Sequence, residues 1–145
     1  MEEPSLWKFN ERTLKTNTKE LPDGILKEQA DILSDKTGGV LYGRTTNMKF
    51  RPQDPKIKYN LATVFDVVVP SLDNYSYTLL IMYSRPENDY PIALTSDSNI
   101  IDDAENFRPQ YECDDRVSFI EVLREILSSD EVNRNIEILY SKACF

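Results

Sequence analysis

The sequence predicts an α+β domain: an antiparallel sheet of about four strands in a meander, with an N-terminal helix and two C-terminal helices packed on one face. Three observations predict it. The stretch YNLATVFDVVVP alternates its side chains with the period of a strand. A second strand-like stretch follows within the length of a hairpin connection, which requires antiparallel pairing. The flanks of this region carry apolar residues at helical spacing, and helices segregated from the strands along the chain define the α+β class.

Taken in order, residues 1–20 read as a polar N-terminal arm, apolar only at Leu6, Trp7, Phe9 and Leu14. Trp7 and Phe9 would either pin the arm onto the domain or leave it loosely held. Residues 21–145 read as the domain. LPDGILKEQADILSDKTGG opens it as a helix with Asp23 as its cap and Ile25, Leu26, Gln29, Ala30 and Leu33 on one stripe. Gly38 and Gly39 stop that helix, because glycine accepts the left-handed conformation found after helix ends. VLYGRTTNMKF reads as a strand, and PQDPK breaks the chain with two prolines.

In the strongest strand, Leu61, Thr63, Phe65, Val67 and Val69 share one face, and Ala62, Val64, Asp66 and Val68 the other. Pro70, Asp73 and Asn74 supply a turn. In the return strand YSYTLLIMYSR, plain alternation groups Tyr75, Tyr77 and Tyr83 with Leu79 and Ile81, and Leu80 and Met82 with Ser76, Thr78 and Ser84. YPIALTS is the third strand of the meander, and a short edge strand is expected between Phe107 and Cys113. DDRVSFIEVLREILSS reads as a helix with an aspartate cap and with Val117, Ile120, Leu123, Ile126 and Leu127 inward. Ser128 and Glu131 have the spacing of a capping box for the last helix, which turns Val132, Ile136, Leu139 and Tyr140 inward.

The stretches LKEQADILSDKTGGVLYGR and FIEVLREILSSDEV, with FDVVVPSLDNYSYTL between them, look like segments of small uncharacterised bacterial proteins of similar size. That resemblance covers about two thirds of the chain and consists of packing and turn signatures. It implies no known activity and no catalytic residues. By size and acidity the chain is also similar to immunity proteins of bacterial toxin systems, and that likeness implies a cytosolic inhibitor.

Charge is unevenly placed. Residues 1–60 hold 11 Lys/Arg against 9 Asp/Glu, a balance of +2; residues 61–145 hold 6 against 16, a balance of −10; together they return the net charge of −8. The second half should repel polyanions and attract basic partners, so direct nucleic-acid binding is not expected there. Lys49, Arg51, Lys56 and Lys58 read as a solvated loop. No secretory leader and no membrane-length apolar run is visible. Cys113 and Cys144 form neither a disulfide framework nor a metal spacing, which fits reduced thiols in the cytoplasm. The sequon Asn74-Tyr75-Ser76 carries no weight without secretion.

The chain contains no histidine, which removes the common Ser-His-Asp and Cys-His schemes and histidine-based zinc sites. Gly38-Gly39-Val40-Leu41-Tyr42-Gly43 runs from a helix into a strand, the reverse of a phosphate loop. DSNIIDDAE lacks the ligand alternation and central glycine of a calcium loop. No cofactor and no metal is expected. Carboxylate chemistry remains, with Asp66 as its candidate: on a buried face it needs a partner such as an arginine. A small-ligand or enzyme site near Asp66 is therefore one reading. A homodimer through the tyrosine-bearing sheet face or a strand edge is another.

The leading reading comes from DSNIIDDAENFRPQYECDD. Its carboxylates Asp97, Asp102, Asp103, Glu105, Glu112, Asp114 and Asp115 face one base, Arg108. As a solvated loop the run favours solubility. As a docking surface it selects a basic protein partner and speeds encounter, with Tyr90, Phe107 and Tyr111 as aromatic anchors. The function expected is a non-enzymatic cytoplasmic protein-binding module, an immunity-type inhibitor among the options.

Overall fold

The structure, a computed structural model, describes residues 5–52, 55–96 and 109–145. Among these residues the fold is α+β, with four helices and an antiparallel five-stranded sheet. The helices are α1 (Glu11–Asn17), α2 (Pro22–Lys36), α3 (Arg116–Leu127) and α4 (Asp130–Cys144). The strands are β1 (Tyr42–Lys49), β2 (Leu61–Val69), β3 (Tyr75–Arg85), β4 (Asn88–Thr95) and β5 (Tyr111–Cys113). They lie side by side in chain order, so the meander is as expected and has one strand more than the four anticipated. The fifth is the short edge strand, paired to β4 through Ile92–Cys113, Ala93–Glu112 and Leu94–Tyr111.

α1 is a helix that the sequence did not announce, because Leu14 alone gives it no apolar stripe. Its start is fixed locally: the Asn10 side chain accepts from the Thr13 amide at 2.9 Å, and Thr13 returns the contact to the Asn10 amide. Neither Trp7 nor Phe9 is buried against the domain. Trp7 is 74% exposed and packs against Phe9, ring centroids 5.2 Å apart.

α2 begins at Pro22, whose fixed φ suits the first helical position and whose missing N–H is no loss there. Asp23 therefore lies inside the first turn rather than at the cap, and it meets the Thr63 hydroxyl of β2 at 3.3 Å. At the other end Gly38 and Gly39 take φ of +61° and +81°, and the Gly39 amide reaches back to the Ser34 carbonyl at 2.9 Å. The helix crosses β1 at Gly43, where a Cβ would lie 2.6 Å from Ala30.

The buried apolar side chains form two groups. In the larger, Ile25, Leu26 and Ala30 of α2, Phe119, Leu123 and Ile126 of α3 and Val132 of α4 meet Phe65, Val67, Val69, Leu80, Met82, Ile92 and Leu94 of the sheet. Burying each large side chain contributes roughly 1.5–3 kcal/mol, an upper figure because unfolded chains are partly collapsed. The smaller group holds Ala62, Val64, Ile81, Tyr83 and Ala93 with Phe50 and Tyr59 from the connection between β1 and β2.

Three assignments in the last two helices change. Val117 is 67% exposed and Phe119 is inward instead, while the expected Ile120, Leu123, Ile126 and Leu127 belong to or pack against the larger core. α4 is capped by Ser129, whose hydroxyl accepts from the Val132 amide at 3.2 Å, rather than by Ser128. Tyr140 is also exposed, not inward.

β3 departs further from plain alternation. Phe65 pairs with Leu80, but its neighbour Asp66 pairs with Thr78, so Leu79 is an extra residue in the ladder. Ahead of this bulge every β3 side chain changes face. Tyr75 and Tyr77 lie with Leu80 and Met82, opposite Val69 and Val67, while Ile81 and Tyr83 lie on the other face.

Candidate functional site

Asp97, Asp102, Asp103, Glu105 and Phe107 of the acidic run lie outside the described residues. Tyr111, Glu112, Asp114 and Asp115 are described, on β5 and the turn into α3. Edge pairing with β4 sets their alternation. Tyr111 and Cys113 turn toward the larger core, Tyr111 half-buried and Cys113 fully so, and Glu112 points the other way.

Glu112 accepts a hydrogen bond from the Tyr59 hydroxyl at 3.1 Å, joining β5 to the segment before β2. Burial, that bond and the charges of Glu112 and Asp114 raise the Tyr59 phenol well above its ordinary range. Asp115 caps α3, accepting from the Ser118 amide at 2.9 Å, and this bond holds its carboxyl below the usual value. Asp114 is exposed.

One acidic neighbour was not legible as part of this group. Asp89 is the second residue of β4, 25 positions before Asp114, on the strand that pairs with β5. Its presence is felt at Tyr90, whose phenol is raised by burial first, then by Asp89 and, less, by Asp115, with Arg116 opposing. Tyr90 itself packs on Phe119, centroids 6.4 Å apart, and its buried hydroxyl has no partner among the described residues. Burial, Asp114 and Asp115 likewise raise the Cys113 thiol, against a Ser118 hydrogen bond. Four carboxylates, Asp89, Glu112, Asp114 and Asp115, thus act on the groups around β5.

Asp66 lies on β2 and is buried. Its carboxylate accepts from Arg44 Nη2 at 3.1 Å and from the Thr78 hydroxyl at 2.7 Å, both across adjacent strands. The arginine partner that burial demands is therefore present.

Of the grooves lined by described residues, three involve strand side chains. One of about 730 Å³ runs between α2 and the α3–α4 turn over Phe65 and Leu79, with Lys36 and Asp130 at its sides. One of about 490 Å³ lies between Asp23 and the β3–β4 turn. One of about 470 Å³ lies between β3 and α4, lined by Tyr75, Tyr77, Asn135 and Lys142. Asp66 lines none of these three. Among the described residues no group of three or more Cys, Asp or Glu could hold a metal ion, and no helix is long and apolar enough to cross a membrane.

Comparison with known proteins gave no match: no family model, no curated protein and no solved structure matches this chain.

Proposed function

We propose that the chain is a non-enzymatic protein-binding module that docks a basic protein through the acidic side of its sheet around β5. The observation that supports this reading is that Glu112, Asp114 and Asp115 lie on or directly after the edge strand β5, with Asp89 on the neighbouring strand β4, and that their charges add to burial in raising the phenols of Tyr59 and Tyr90. The carboxylates Asp97, Asp102, Asp103 and Glu105 belong to the connection that leads directly into that strand. With the helices taken as one layer on one side of the sheet, the β5 edge is the approach for a partner. A concentrated negative potential steers a basic partner and rejects polyanions, so nucleic acid is excluded as a direct ligand. The action is occlusion: the module covers the partner's own working surface. An immunity-type inhibitor of a basic toxin such as a nuclease, working in the cytoplasm without a cofactor, has this character.

Asp66 takes a structural part in this reading, since Arg44 and Thr78 occupy both of its oxygens. The experiment is capture of a basic protein from an extract of the source organism, with wild type and with a variant carrying Asp102→Asn, Asp103→Asn and Glu105→Gln. Retention by wild type and loss by the variant support the reading; equal retention contradicts it. Light scattering at high concentration separates it from a homo-oligomeric accessory role, which requires a species larger than the monomer.

A further inference from the structure

We propose that the groove between β3 and α4 is a binding site for a small planar aromatic carboxylate. The site is a product of the β3 bulge. Without the extra residue at Leu79, Tyr75 and Tyr77 would stand on the face that carries Ile81 and Tyr83. With it, they line a groove of about 470 Å³ whose other walls include Leu72, Ile138 and Leu139. That volume is in the range of small-molecule sites, which are mostly apolar and carry a few placed polar groups. Bulges recur beside functional sites because they re-aim side chains in this way.

The chemistry of the lining selects the ligand. Tyr75 is 54% exposed and Tyr77 half-buried, so two phenol rings offer surface to a flat ring, which prefers offset or edge contacts with them. Asn135 Nδ2 donates to the Tyr77 oxygen at 2.9 Å. The phenol accepts there, so its own proton remains for a ligand oxygen. Lys142 lines the same groove and makes no ion pair among the described residues. A hydroxyl donor and an uncompensated ammonium beside apolar walls suit an anion carried on a ring, and a carboxylate accepts from both. A second copy of the chain suits the groove poorly. Antiparallel docking of α4 about Ile138 would set Arg134 of one copy against Lys142 of the other, four residues to either side, and like charges repel.

The test is calorimetric and NMR titration of the full chain with 4-hydroxybenzoate, 2-naphthoate and indole-3-acetate, each beside its neutral amide. At least one acid is expected to bind saturably with Kd below about 1 mM. Its shift changes should map to Tyr75, Tyr77 and Asn135, and its amide should bind about tenfold more weakly. Lys142→Gln should weaken the acid about tenfold and leave the amide unchanged. Lys142 and Tyr75 are exposed, so Lys142→Gln and Tyr75→Ala should fold normally, and Tyr75→Ala should weaken acid and amide alike. No saturable binding by any of the acids would overturn the proposal. So would equal affinity for acid and amide, indifference to Lys142→Gln, or shift changes confined to another groove.

Discussion

The Thr78 hydroxyl donates to Asp66 Oδ1 at 2.7 Å, and it does so only because β3 carries one extra residue at Leu79. In an unbroken alternation Thr78 would stand on the opposite face, and Asp66 would keep Arg44 alone. The contact thus ties the register of the central strand pair to a buried charge. Thr78→Val should cost about 1–2 kcal/mol, and Asp66→Ala about 1–3 kcal/mol because it strips two charge-assisted bonds at once. Arg44→Ala should cost less, since that side chain is 45% exposed and water replaces part of the loss. Urea unfolding of the three variants checks the ranking; an Asp66→Ala protein as stable as wild type would contradict it.

Close approach of α2 to β1 gives a second prediction. A Cβ at Gly43 would sit 2.6 Å from both Cα and Cβ of Ala30, closer than the two elements can tolerate without separating. Gly43→Ala should lower stability by about 1–3 kcal/mol through overpacking. Gly43→Ala combined with Ala30→Gly should recover part of it, which denaturation of the single and double variants measures.

Tyrosine ionisation supplies a third. Burial pushes Tyr83 up to about 12, and Tyr59 and Tyr90 are raised as well. In the unfolded chain these phenols ionise near the ordinary value of about 10. Their neutral forms therefore favour the fold fully below about pH 10, and that contribution is lost as pH climbs above it. Stability should fall from about pH 10 upward, with a late component in the ultraviolet tyrosine titration. Tyr59→Phe should remove part of the late component and flatten the decline; a single uniform titration near pH 10 in the folded protein would contradict this.

Acid acts in the opposite sense on Asp115. Its folded value is depressed by the Ser118 amide, so its contribution is present above the unfolded value of about 3.9 and is lost as pH falls through the lower folded value. Asp115→Ala should destabilise α3 at neutral pH, and Asp115→Asn, which still accepts the bond, should retain more stability and show less acid dependence. Thermal unfolding between pH 3 and 7 checks both.

How much of this was legible in the sequence follows from which signals are local. The alternation of β2, the glycine stop after α2 and the aspartate cap of α3 are each written within a few residues, and each stands where expected. The β3 faces were not legible, because a bulge adds one residue without any marker such as glycine: Leu79 and Leu80 are alike in size and chemistry, and only pairing with Phe65 and Asp66 decides between them. Phe119 was passed over for Val117 because α3 is apolar at 117, 119, 120, 122 and 123, so two stripes fit the same period. The acidic residues of β5 were visible as charge, but not the bond from Tyr59 to Glu112 across 53 positions, nor the proximity of Asp89.

The most direct measurement of the docking claim is the affinity of the captured basic protein for wild type and for a variant neutralised at Asp97, Asp102, Asp103, Glu105 and Asp114. Glu112 and Asp115 stay in place because they hold Tyr59 and α3. The account predicts a fall of at least about tenfold in affinity, carried mostly by a slower association that wild type also shows as salt is raised. Equal affinities, or an association rate indifferent to both charge and salt, would contradict it.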